Sequence, residues 1–219
     1  MKKLLSLLQV LENMSRVPRT GGILFSGIDP DRTDSIAEHS FKVSYLCLFL
    51  GELSKNNGLS VNMEKLLRIA ITHDWDDIIL LDVPSGSPSY KSYFESVDIR
   101  KIIEKAGEKA KQTIQDFLKD DISLNLKEKN LSGAESEILK ISDTIALLLE
   151  ILEWKYQGLK YEWFNYVWSN TLEKLRKKLT GSFEFLKPLL GELEKAYKSG
   201  TKPPNPFLTK SSFQTYCPE

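Results

Sequence analysis

Two histidines and a few aspartates carry the chemical interest of this sequence: His39, the adjacent pair His73-Asp74, and Asp143 inside a later apolar run. Neutral imidazoles and carboxylates together make a mixed nitrogen and oxygen donor set. Such a set suits a borderline or hard divalent ion and leaves coordination positions for water and substrate. Taken singly, His39 reads more readily as a half-buried helix residue than as a ligand, and His73-Asp74 as a polar pair facing solvent at a helix end. Asp143 is the stronger signal. Ile138, Leu139, Ile141, Ile145, Leu147 and Leu148 surround it in sequence, and a carboxylate buried there without a partner is strongly disfavoured. A metal ion, a lysine or a pair of backbone amides can each compensate it.

These residues need rigid elements to bring them together, and the periodicity supplies helices. A first amphipathic helix carries Leu4, Leu7, Leu8, Leu11 and Met14 on one face. Pro18, Gly21-Gly22, Gly27 and Pro30 then mark an irregular loop. Ser35-Ile36-Ala37-Glu38 has capping-box spacing and opens a second helix, with His39 in its first two turns and Asn57-Gly58 at its end. Asn62 caps a third, which runs through Leu66, Leu67, Ile69, Ala70 and Ile71 into His73-Asp74. Neighbouring helical residues point about 100° apart, so His73 and Asp74 can share one ion only in the notch between their directions. The prolines and glycine of 82–92 make a loop, and helices are expected over about 98–119, from near Ser132 through Asp143 to Leu152, over 162–179 and over 182–198. No strand alternation or internal repeat is visible. The fold expected is all-α, a single-domain bundle of about seven helices over residues 1–200, with an extended or poorly ordered tail over 201–219.

Three stretches together resemble the HD-domain superfamily, named for its His-Asp dipeptide, and within it most nearly the 5'-deoxynucleotidase group. They are Arg16-Val17-Pro18-Arg19-Thr20-Gly21; Ser35-Ile36-Ala37-Glu38-His39-Ser40; and His73-Asp74-Trp75-Asp76-Asp77 followed by Asp82-Val83-Pro84. Asp143, in Lys140-Ile141-Ser142-Asp143, stands where that family places its last metal ligand, and the likeness covers about residues 1–155. The resemblance implies an HD-type helical bundle in which His39, His73, Asp74 and Asp143 bind one divalent ion such as Co²⁺, Mn²⁺ or Mg²⁺. It implies release of phosphate from a nucleoside 5'-monophosphate, above all a deoxynucleoside one. Arg19 would clamp the phosphate through its planar donor fork, with Arg16 or Arg32 as substitutes, and Asp82 would contact the substrate. The family carries a glutamate four residues after the dipeptide histidine, and this chain has Asp77. On a continuous helix that spacing keeps Asp77 on the His73 face, one methylene shorter, where it can orient the attacking water. The loop from Gly22 to Arg32 is longer than is usual in the family.

Composition narrows the partners. Thirty Lys+Arg against thirty Asp+Glu give a formal net charge of 0, so no overall attraction draws the chain to nucleic acid or an anionic membrane. No apolar run approaches the roughly 20 residues that span a bilayer. Met1-Lys2-Lys3 copies the start of a secretory signal, but Gln9, Glu12 and Asn13 interrupt the apolar stretch next to it, so a cytoplasmic address is expected. Cys47 and Cys217 form neither a disulfide framework nor a CxxC site. Aromatic residues cluster at Trp154, Tyr156, Tyr161, Trp163, Phe164, Tyr166 and Trp168, a core filling or a surface for a homodimer. Two rivals to a nucleotide monoesterase stand: a phosphodiesterase or nucleoside triphosphohydrolase of the same superfamily, and a helical metal-binding regulatory protein without turnover. With two histidines in all, the chain has none to spare for a second metal, which favours a small monoester.

Overall fold

The computed structural model describes residues 5, 8, 9, 11–75, 77–80, 133–160 and 162–203. Among them the protein is all-α. In chain order the α-helices are α1 (Thr20–Ser26), α2 (Ile36–Asn56), α3 (Met63–Thr72), the single turn α4 (Asp77–Leu80), α5 (Ala134–Tyr156), α6 (Glu162–Lys178) and α7 (Lys187–Ser199). Short 3-10 turns lie at Asn13–Ser15, Pro30–Arg32 and Gly181–Leu186. The expected helix over 98–119, the 82–92 loop and most of the first helix and of the tail lie outside the described residues.

The caps read from the sequence form as expected. The Ser35 hydroxyl accepts from the Glu38 amide at 3.2 Å while the Glu38 carboxylate accepts from the Ser35 amide at 2.7 Å, so two otherwise orphaned donors at the start of α2 are satisfied. At the start of α3, Asn62 Oδ1 accepts from the Lys65 amide at 3.0 Å. From these starts the helical period aims the inner faces. On α2, Ile36, His39, Val43, Cys47 and Leu50 are buried in one stripe, so His39 occupies a core position. On α3 the buried Leu66, Ile69 and Ala70 put the next inward position at His73, the C-cap.

Helix α2 packs on both α3 and α5. Gly51 permits the first contact, since a Cβ there would meet Met63 Sδ at 2.6 Å. Helix α5 is the central element. Ile138, Leu139, Ile141, Ile145, Leu148, Ile151, Leu152 and Trp154 are all buried, and each large aliphatic so placed contributes about 1.5–3 kcal/mol relative to exposure. One core cluster runs from Ile28 through α2, α3, α5 and α6 to Leu193 on α7.

Two expectations are corrected. The 20–26 stretch is helical rather than irregular. Its glycine pair does not break it: Gly22 lies so close to the Trp154 indole that an added Cβ would meet the ring at 2.7 Å, and the left-handed residue is Gly27 at φ 62°, the C-cap. The helix expected over 182–198 is split. Pro188 has no amide hydrogen to continue a helix begun earlier, so the chain passes through the Gly181–Leu186 turn and restarts with the proline in the first turn of α7. Of the late aromatics, Trp154, Phe164 and Trp168 are core residues, with Trp154 stacked on Phe164 at 5.5 Å, while Tyr166 is exposed. Cys47 is a buried free thiol, and Cys217 lies outside the described residues. No helix among the described residues is long and apolar enough to cross a membrane.

Candidate metal and phosphate site

His39, His73, Asp74 and Asp143 come from three elements and meet at one end of the α2–α3–α5 contact. Donor atoms of His39, His73 and Asp74 all lie within 4.8 Å of one another. Asp143 joins through His39, whose Nε2 stands 3.1 Å from Asp143 Oδ1 and 3.4 Å from Asp74 Oδ2. His73 Nε2 lies 3.3 Å from the same Asp74 oxygen, and the two imidazole centroids are 5.5 Å apart.

The hydrogen bonds of His73 test whether a cation fits. Its Nδ1 is 2.7 Å from the Ala70 carbonyl, which only accepts, so Nδ1 carries the hydrogen. In the neutral ring Nε2 then offers a lone pair, and it is buried with no hydrogen-bond partner. A lone pair therefore faces a carboxylate oxygen at 3.3 Å, two acceptors opposed with no hydrogen between them. A divalent ion removes that conflict, and an imidazole anchored at Nδ1 by a carbonyl is oriented as metal-binding histidines are. The residues present fit such an ion.

Asp143 differs from its expected setting. Protein crowds it on most sides, yet 40% of its side chain stays exposed, so it lines the site instead of lying sealed in the core. Burial alone would raise its pKa. The hydrogen bond from His39, with the positive charge around it that includes Arg19, outweighs that and holds it down at about 2. Lys140, the nearest lysine in sequence, pairs with Glu137 at 3.0 Å rather than with Asp143.

Of the three early arginines only Arg19 reaches the ligand set, its Nη1 donating to Asp74 Oδ2 at 3.0 Å with 19% of its side chain exposed. Arg16 is exposed and faces Glu12, and Arg32 faces Asp29, so neither substitutes. The segment bearing Arg19 is fastened to the start of α2. Pro18 bridges Ser35 in antiparallel fashion, the Arg19 amide donates to the Asp34 carbonyl at 2.7 Å, and the Ile36 amide donates to the Val17 carbonyl at 2.9 Å.

The continuous helix expected from His73 to Asp77 is not present. Helix α3 ends at Thr72, residues 73–75 form a turn, and Asp77 opens α4 with its amide bonded to the Asp74 carbonyl at 3.1 Å. Asp77 thus stays one turn from Asp74, but same-face helical spacing does not place it. Asp76 and Asp82 lie outside the described residues. Sequence reasoning passed over Glu150, Asp34 and Lys42, although a glutamate within Leu147-Leu148-Leu149-Glu150-Ile151-Leu152 is the same kind of signal that singled out Asp143.

Residues 6–190 match the family described as 5'-deoxynucleotidase YfbR-like. The chain belongs to that family. The match extends past the limit of about residue 155 expected from the motifs, so α6 and the start of α7 are part of the family's fold. A 5'-deoxynucleotidase of Klebsiella pneumoniae is 28% identical over 124 residues, spanning 56% of this chain and 61% of that protein. The alignment thus covers a little under two thirds of that relative's length. Among solved structures, the PH0347 protein from Pyrococcus horikoshii shares the fold with TM-score 0.66 at 22% identity, over 88% of this chain and 99% of that one. An HD-domain phosphohydrolase from Listeria innocua shares it with TM-score 0.59 at 23% identity, over 90% and 92% of the two chains. Both solved structures share the all-α fold seen here.

Proposed function

We propose that this protein is a metal-dependent phosphomonoesterase that releases phosphate from nucleoside 5'-monophosphates, with deoxynucleotides as the preferred class. The observation that carries the reading is the convergence of His39, His73, Asp74 and Asp143 beside Arg19, an acceptor-rich cluster next to one guanidinium. Family membership and the deoxynucleotidase relative support the choice of substrate class.

In this reading the two histidines and two aspartates hold one divalent ion, Mn²⁺, Co²⁺ or Mg²⁺. When bound, the ion supplies Lewis acidity and charge neutralisation for attack on phosphorus. Arg19 then turns its fork from Asp74 to the phosphoryl oxygens, a pairing whose planar geometry lysine cannot reproduce. Asp77 takes the place of the family's glutamate as the carboxylate that orients or deprotonates the attacking water, and Asp82 contacts the substrate.

The test is a screen of nucleoside mono-, di- and triphosphates and a cyclic phosphodiester against Mn²⁺, Co²⁺ and Mg²⁺, following inorganic phosphate. Release from 2'-deoxynucleoside 5'-monophosphates at the highest kcat/KM supports the reading. Preference for the diester or triphosphate, or no release above a chelated control, overturns it.

A further inference from the structure

Helix α5 carries a buried carboxylate that the reaction outlined for this site does not use. Glu150 stands seven residues beyond Asp143, two turns along the same side of the helix, and is 3% exposed. Its Oε1 accepts from the Asp34 amide at 3.1 Å. Asp34 is the residue whose carbonyl receives the Arg19 amide at 2.7 Å, and its carboxylate is held by Lys42 Nζ at 2.6 and 2.7 Å. Glu150 is therefore two hydrogen bonds from the Arg19 backbone. One turn further along α5, Trp154 Nε1 donates to the Arg32 carbonyl at 3.0 Å and its ring packs against Gly22. The central helix thus grips the 17–34 segment at two successive points while Asp143 faces the cation site.

We propose that Glu150 is a positioning residue for Arg19, fixing through the Asp34 amide the bridge from which the guanidinium projects over the phosphate position. The inference rests on the reading of Arg19 as the phosphate clamp. A buried carboxylate in an apolar helix face is disfavoured unless it does something a leucine cannot. Here burial and the Asp34 carboxylate push its pKa up to about 7, while Arg19, the Asp34 amide and Lys42 pull the other way. The anionic form is the one those three groups favour, and it holds the Arg19 segment more tightly than the neutral acid does.

The experiment measures kcat and KM for 2'-deoxyadenosine 5'-monophosphate at saturating Mn²⁺ in wild type, Glu150→Leu, Glu150→Gln, Arg19→Ala and Arg19→Ala/Glu150→Leu, with Mn²⁺ affinity measured separately. Glu150→Leu should raise KM about ten-fold, the size of a lost buried polar contact, with Mn²⁺ affinity unchanged. In the Arg19→Ala background the same change should add less than about two-fold, because both act through one guanidinium. Glu150→Gln keeps the shape and the acceptor. Its KM relative to wild type should be near one below pH 6, where both side chains are neutral, and should rise to a plateau of about three-fold above pH 8. That ratio cancels titration of the substrate, and a purely structural role would leave it flat. Full additivity of the double variant, a flat ratio, or a parallel loss of Mn²⁺ affinity overturns the proposal. If Arg19→Ala raises KM but neither Glu150 variant does, this inference alone fails. If Arg19→Ala leaves KM unchanged, the clamp reading fails and takes this role with it.

Discussion

The two flanks of the site are built differently. The proposed cation flank is made of side chains set by helices: His39 falls on the buried stripe of α2, His73 on the continuation of α3, and Asp143, partly exposed, on α5. Each is aimed by the helical period of its own element, and packing of those elements does the rest. The proposed phosphate flank is a non-helical segment. Arg19 is aimed by a backbone bridge to 34–36, and that bridge is held by Glu150 from a residue 116 positions away in sequence. Chemistry placed on packed helices is robust to single losses in the surroundings. Chemistry placed on a loop depends on a few named hydrogen bonds, each of which can be cut.

The largest expected effect lies on the cation flank. Asp74→Asn, which removes the carboxylate that faces both imidazoles and pairs with Arg19, should lower metal-stimulated phosphate release by about a thousand-fold while leaving helical circular dichroism unchanged. Undiminished turnover would remove Asp74 from the ligand set and break the contrast at its stronger end. On the other flank, Arg19→Ala should raise KM by roughly ten- to a hundred-fold with a smaller change in metal affinity, and Arg19→Lys should restore only part of it. Equal losses in both constants would mean that the two flanks do not act separately.

The acid–base behaviour of Glu150 gives a stability test. Its folded pKa of about 7 lies above the ordinary 4.5, so between those values the folded state holds a proton that the unfolded state has released. Its contribution is therefore fully present below pH 4.5 and is lost as pH rises through about 7, up to a few kcal/mol. Glu150→Gln should unfold at a higher temperature than wild type at pH 8 and at nearly the same temperature at pH 4.5, read by thermal melts across that range. A difference independent of pH would show that charge is not what burial disfavours there. Together with the expected rise in KM, such a result would mean that the residue trades stability for placement of Arg19 only if the pH dependence is present. The smallest effect is that of Gly22→Ala. The Trp154 ring is held by its bond to the Arg32 carbonyl and by Phe164, so it cannot yield, and the added methyl should cost about 1–3 kcal/mol in denaturant titrations. A neutral result would mean that the 20–26 helix can shift on α5 without consequence.

Much of this architecture was legible in advance, element by element. Capping residues Ser35 and Asn62 marked the starts of α2 and α3, and the apolar period marked their inner faces, because both signals depend only on residues a few positions apart. The His-Asp set could be proposed as a set through its family likeness, its individual members being ambiguous, and the structure brings donor atoms of His39, His73 and Asp74 within 4.8 Å of one another. What failed were inferences that needed contacts across the fold. Gly21-Gly22 resembles a helix breaker until Trp154 is seen against Gly22. Asp77 looks like a same-face partner of His73 until α3 ends at Thr72.

By itself, then, the order of residues determined the helical class, the caps and which donors were chemically suited to a divalent ion, since propensity, capping and donor type are local properties. Only the tertiary structure decided that Arg19 and not Arg16 or Arg32 stands beside Asp74, that Asp143 meets His39, and that Glu150 bonds the Asp34 amide at the start of α2. Those outcomes depend on how α2, α3 and α5 pack, and contacts between residues a hundred positions apart leave no periodic trace in the chain.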